Sequence, residues 1–196
     1  MAIKNIIQIG EELLREKCNP VLLSSINEPG VQALVEDLID THRQRQGIGI
    51  AAPQIGINLR FFVTELPISP NRPESQSDEL RIYFNPEITF RSDELVTMYE
   101  GCLSIADGNF CLPITRPKEI TIEAYNKAGQ KFKLHCDGLL ARVIQHEYDH
   151  LEGILFIDKN VDIRKAVSIS HSRTLSTTDK SIVKSRTITV KEITLL

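Results

Sequence analysis

Gln145-His146-Glu147-Tyr148-Asp149-His150 places two histidines four residues apart, with a carboxylate next to the first. On a helix, side chains at i and i+4 project together, so His146 and His150 can share one metal ion while Glu147 handles a proton. The HExxH pattern arises by chance in roughly one in a hundred chains of this composition, so by itself it suggests the chemistry without proving it. A helical wheel sharpens the case. Leu139, Leu140, Val143, Ile144 and Leu151 fall in one arc, and His146, Glu147 and His150 lie inside that arc or at its edge. Arg142, Gln145, Asp149 and Glu152 occupy the opposite face and are expected to meet water. Burying two imidazoles and a carboxylate without partners is costly, and a metal with a bound water satisfies all three. Hydrogen-bonded core histidines, with Glu147 ion-paired to a neighbour, would satisfy them too.

Two histidines need a third protein ligand. The HExxHxxGxxH extension is absent, because residue 156 is Phe. Asp158 and Asp162 lie downstream, Glu152 is on the wrong face, and His171 sits in a Ser/Thr-rich tail. Cys102, in Glu100-Gly101-Cys102-Leu103-Ser104, ends a β-prone run, and a thiolate is a strong donor to Fe²⁺ or Zn²⁺. Taken alone, it reads as a small buried hydrophobe. As a nucleophile with His146 as base, Cys102 would leave His150 without a task.

Gly47-Ile48-Gly49-Ile50-Ala51-Ala52-Pro53-Gln54 formally matches a dinucleotide fingerprint, but it follows a helix and Pro53 interrupts the helix that should open there. A strand whose small residues let a ligand's backbone approach closely fits better, with the Gln54 amide available to an oxyanion. Packing of small residues beneath a helix explains the same run.

The elements that must position these groups are legible in outline. Val31, Leu34, Val35, Leu38 and Ile39 predict an amphipathic helix over 31–45, with Pro29 near its start and Gly47 past its end. Short β-prone runs follow at Ile48–Ala51, Arg60–Glu65, Arg81–Phe84, Glu87–Arg91 and Leu95–Tyr99. Residues 66–79 read as a polar, proline-broken surface loop. Glu119–Tyr125 and Lys131–Cys136 form a hairpin around a five-residue loop. The HExxH helix runs from Asp137, a candidate N-cap, to Gly153. The fold class is α+β: largely antiparallel sheets packed around the HExxH helix, with the amphipathic helix near the N-terminus.

The chain has 196 residues and a net charge of −3, enough for one catalytic domain and an appendage. No run is long enough to span a membrane, and four cysteines without a CxxC suit reduced thiols in the cytoplasm. Residues 164–196 carry seven basic side chains against Asp179 and Glu192. Such a basic tail on an acidic body suits either a polyanion or plain solvation. Residues 168–189 read as a loose Ser/Thr-rich segment, and the chain end as a strand.

Gly47–Gln54, Glu100–Ser104 and Gln145–Leu151 occur in the order and spacing of the peptide deformylases, and the chain resembles that family from about residue 3 to residue 163. The resemblance implies removal of the N-formyl group from the formylmethionine of nascent polypeptides. Cys102, His146 and His150 would bind one divalent metal ion per chain, Fe²⁺ first, with Zn²⁺ or another divalent metal as the alternative. Metal-bound hydroxide would attack the formyl carbon, with Glu147 as proton shuttle. The Gln54 side chain and the Leu103 backbone N–H would stabilise the oxyanion, while Ile48, Gly49 and Gly101 pair with the peptide. Formylated nascent peptides are the expected partners, with no membrane or DNA partner and a monomer as default. Residues 1–163 would be the catalytic domain, and 164–196 an extension available to dock on ribosomal RNA. After Ile105 the family often continues with Pro and then Arg, whereas here Ala106–Pro113 intervenes and no arginine follows until Arg116. A metallopeptidase sharing HExxH, or a binder of formylated N-termini without turnover, are the competing expectations.

Overall fold

The apolar stripe of the first helix is buried as its periodicity requires. In a computed structural model that describes residues 2–159 and 162–196, α1 spans Pro29–Gln44 and buries Val35, Leu38 and Ile39. Nine strands follow the order β1 (Gly49–Ala51), β2 (Phe61–Leu66), β3 (Asp78–Arg91), β4 (Leu95–Gly101), β5 (Phe110–Pro117), β6 (Ile120–Tyr125), β7 (Lys131–Cys136), β8 (Val167–Ser168) and β9 (Val190–Leu195) among the described residues. Helix α2 (Gly138–Leu151) lies between β7 and β8, and α3 (Ile169–Thr178) and α4 (Lys180–Arg186) between β8 and β9. The larger sheet has the order β1-β2-β3-β6-β7-β9, and the smaller is β4-β5-β8. All their pairings are antiparallel.

Alternation along β2 assigns the two faces of the larger sheet. Phe61 and Val63 join Ile50, Phe84 and the apolar side of α1. Phe62 and Leu66 join Tyr83, Leu134 and the apolar side of α2. A third cluster, with Cys102, Leu112, Ile114 and Phe156, lies around the end of β4 and the smaller sheet. The fold is therefore α+β with antiparallel sheets. No described helix is long and apolar enough to cross a membrane.

Several expectations are corrected. Arg81–Phe84 and Glu87–Arg91 belong to one strand, β3, whose register shifts between Phe84 and Glu87. There Asn85 adopts a φ of 47°, and its side chain binds both the N–H and the carbonyl of Val21. Residues 110–117 form β5 although Pro113 and Pro117 interrupt its donors. Its second neighbour, β8, pairs only at Phe110 and Cys111, so the prolines lie where no such pairing is needed. Asp137 precedes α2 but caps no helical N–H; its Oδ1 accepts from Thr189 N at 2.6 Å.

Most of 168–189 is helical rather than loose, in α3 and α4. Ser168 accepts from His171 N at the start of α3, and Asp179 accepts from Ser181 N and Ile182 N at the start of α4. Inside these helices Ser176, Thr178 and Ser185 donate to the carbonyls of Ser172, Thr174 and Ser181, one turn back. Such hydroxyls absorb their own polarity within the helix, which weakens the sequence signal that marks one.

Candidate active site

Helix α2 and the end of β4 supply the reactive groups. The ligand-capable atoms of Cys102, His146 and His150 lie within 4.8 Å of one another, and all three residues are buried. Cys102 Sγ stands 3.2 Å from His150 Nε2. His146 Nδ1 is 2.9 Å from Glu100 Oε2, so its proton is assigned to that nitrogen and Nε2 is left for the cluster. Burial opposes charging His146, but hydrogen bonds to Cys102 and Glu100 outweigh it and hold its pKa well above the usual value. Burial and the charge of His146 push His150 the other way. A divalent cation would displace the proton that the cluster otherwise holds.

The residues present fit such a cation. One thiol and two imidazoles form a donor set suited to Fe²⁺ or Zn²⁺, and three protein ligands leave a coordination position open. Next to this set, Glu147 Oε2 is buried without a partner, as is His150 Nδ1. Burial raises the Glu147 pKa to about 7, against the opposing pull of the His146 charge.

Glu147 is in place because residue 49 is glycine. A Cβ on Gly49 would lie 2.5 Å from Glu147 Oε1 and 2.6 Å from Val143 Cγ1. Gly49 opens β1, an edge strand of the larger sheet, so among the described residues one side of β1 has no partner strand. Ile48, just before it, accepts from Glu65 N on the other side. Gln54 follows in a 3-10 turn; its Oε1 accepts from Ala51 N at 2.8 Å, which fixes the amide orientation. Its Nε2 then points at Cys102 Sγ, 3.5 Å away, and at Ser104 Oγ, 3.3 Å away. Leu103 is held through its carbonyl, which accepts from Gln8 Nε2. Gly101 ends β4 opposite Cys111, whose Sγ would be 3.0 Å from an added Cβ. The structure thus brings Cys102, His146, His150, Glu147 and Gln54 together, with Gly49 against Glu147 and with Gly101 and Leu103 on either side of Cys102.

The polar side of α2 departs from expectation. Arg142 and Gln145 are each only 4% exposed, because the smaller sheet packs where water was expected. Arg142 Nη1 reaches Glu100 Oε1 at 2.8 Å and Ile114 O at 2.9 Å, and Gln145 Nε2 donates to Pro117 O. Asp149 takes Arg116 Nη1 at 2.6 Å. Arg116 also forms a two-pronged pair with Glu100, with Nε and Nη2 at 2.7 and 2.9 Å from its two oxygens. Glu100 therefore faces two guanidinium groups and one imidazole. Burial would raise its pKa, but the charge of Arg116 together with the hydrogen bonds from Arg116 and His146 outweighs it and holds Glu100 well below the usual carboxylate range. Glu100, Arg116 and Arg142 were missed as site residues; the available signal was a glutamate two residues before Cys102 and an arginine one helical turn before His146.

A buried Cys–His–His set flanked by a carboxylate, on a mixed α/β fold, defines a metal-dependent hydrolase. The family model for polypeptide deformylase matches residues 3–166. Peptide deformylase 1 of Clostridium perfringens is 42% identical over 158 residues, covering 81% of this chain and 98% of that protein. The crystal structure of the class I type b peptide deformylase from Acinetobacter baumannii bound to Met-Ala-Ser superposes with a TM-score of 0.76 at 30% identity, over 81% of this chain and 98% of that one. A probable peptide deformylase from Synechococcus phage S-SSM7 gives a TM-score of 0.69 at 39% identity, over 81% and 99% of the two chains. The chain belongs to the peptide deformylase family, metal-dependent enzymes that remove the N-formyl group from nascent polypeptides.

Proposed function

We propose that this chain acts on formylmethionine at the start of nascent polypeptides, with Cys102, His146 and His150 holding one divalent metal ion, Fe²⁺ first, and Glu147 moving the proton. The observation that carries this reading is the unpartnered, buried Glu147 carboxylate beside the Cys–His–His cluster. When bound, the metal supplies Lewis-acid polarisation and a water of lowered pKa. With its own pKa near 7, Glu147 is suited to accept a proton from the attacking water and deliver it to the departing amine. Gln54 Nε2, pinned through Ala51, donates with the Leu103 N–H to the oxygen that gains charge. Ile48 and Gly49 along the open side of β1, with Gly101 at the end of β4, pair with the substrate backbone as an added strand. Four free, buried cysteines suit a cytoplasmic enzyme, with a monomer as the default state and the basic 164–196 segment available to ribosomal RNA.

The test is anaerobic release of formate from formyl-Met-Ala-Ser by iron-loaded protein and by Glu147→Ala. Turnover that falls by several orders of magnitude in the variant, with the metal retained, supports the reading. Undiminished turnover in the variant overturns the role of Glu147. A metal-loaded wild type that binds the peptide without releasing formate overturns the catalytic reading in favour of a binder.

A further inference from the structure

Arg186, at the end of α4, meets Gln76 of the 67–77 loop and Ser176 of α3, and Arg72 and Arg173 belong to those same two segments. Arg186 Nε donates to Gln76 Oε1 at 2.9 Å, and its Nη1 donates to Ser176 Oγ at 3.2 Å. Gln76 lies four residues after Arg72, and Ser176 lies three residues after Arg173, one turn along α3. Gln76 and Ser176 are both buried. Arg72 Nη1 donates to Pro67 O, while its Nε is buried with no partner. Arg43, Arg60, Arg81, Arg116 and Arg142 each pair with a carboxylate. Among the described residues Arg72, Arg173 and Arg186 have no such pair.

The electrostatics follow from that placement. Burial, and then the Arg173 charge, lower the pKa of Arg72. Burial and the Arg72 charge push Arg186 down to about 10. Three like charges around a buried amide and a buried hydroxyl disfavour one another until an anion joins them, and guanidinium groups match the oxygens of a phosphate. A phosphate dianion carries two negative charges and more acceptor oxygens than a carboxylate, so it can meet three guanidinium groups at once. Arg173 and Arg186 also lie beyond the residues matched by the family model.

We propose that Arg72, Arg173 and Arg186 form a binding site for a phosphate group, outside the catalytic centre and built between the 67–77 loop and the C-terminal helices. The group is either free inorganic phosphate or a phosphate ester on a nucleotide. Isothermal titration of the full chain with inorganic phosphate, and separately with adenosine monophosphate, at constant ionic strength, tests this. The expected result is saturable binding of one phosphate per chain, weakened at least about tenfold in Arg173→Gln and in Arg72→Gln. Arg173 is exposed and its side chain makes no hydrogen bond among the described residues, so its replacement spares the fold. Arg43→Gln, which removes an arginine already paired with Glu65, should bind as the wild type does. Tighter binding of the nucleotide identifies an ester as the ligand, and equal or weaker binding identifies the free ion. Absence of saturable phosphate binding in the wild type, or Arg173→Gln binding as tightly as the wild type, overturns the proposal.

Discussion

Replacing Glu100 with glutamine keeps the shape of the side chain and removes its charge. In the native arrangement that carboxylate is 6% exposed and faces Arg116, Arg142 and His146 Nδ1. Arg116 retains Asp149 in the variant, but Glu100 is the only carboxylate that Arg142 reaches among the described residues. Stripping the partner from a buried cation costs about 3–5 kcal/mol. In a chain of this size each kcal/mol moves the melting midpoint by about 2–4 °C, so metal-free Glu100→Gln should melt about 10 °C below wild type. His146 also loses the anionic partner that sets its ring, keeping at most a neutral amide oxygen, and weakening such an orienting partner lowers metal affinity about 10–100-fold. Thermal unfolding of the metal-free proteins reads the first effect, and metal retention against a chelator reads the second. Adding Arg142→Leu to Glu100→Gln removes the stranded charge and should recover part of the lost stability, a non-additivity that a double-mutant cycle detects. If the single variant melts within about 2 °C of wild type and holds its metal equally well, Glu100 is not the support argued from these contacts.

Two further outcomes follow from close contacts elsewhere. Gly49→Ala would drive a methyl group into the Glu147 carboxylate and Val143, and a displacement of about 1 Å in a proton-carrying group costs on the order of 100-fold in kcat/KM. Formate release should fall by that much while metal content stays at one per chain, and unchanged turnover would mean that Glu147 is not confined by β1. His42 is buried, neither ring nitrogen has a hydrogen-bond partner among the described residues, and burial lowers its pKa to about 4 despite the opposing charge of Glu65 3.9 Å from Nδ1. The unfolded chain therefore takes up this proton at a higher pH than the folded one. Stability from a neutral His42 is present above pH 6.5 and lost as the pH falls towards about 4. The loss amounts to about 3 kcal/mol. Denaturant unfolding across that window should show a slope that Leu at position 42 removes, and equal slopes in the two proteins would refute the assignment.

How much of this was legible depends on whether the signal was local. α1 and α2 follow from 3.6-residue periodicity, because each buries one apolar stripe against the larger sheet. The histidine pair follows from a spacing within one helix. Cys102 is different: it approaches His150 from 48 residues away, and its own run gives no reason to favour a ligand over a small core residue. Only the joint appearance of three segments singled it out. The wheel of α2 sorted Arg142 and Gln145 onto a wet face because it assumed one packed side. The smaller sheet covers the other side, and no periodicity within α2 reports on a sheet formed elsewhere in the chain. What that side does carry is charge in a pattern that water does not require. Arg142 stands one turn before His146 and Asp149 one residue before His150, while Glu100 stands two residues before the thiol. Arg142 and Asp149 fall four before and three after His146 and so are its neighbours on the helix, whereas Glu100 stands on β4. The outer face of a metal-bearing helix is therefore better read as the ligands' support than as solvent surface. In this chain the support is built from Glu100 and Arg116, which reach α2 only when β4 and β5 pair across Glu100 and Leu112.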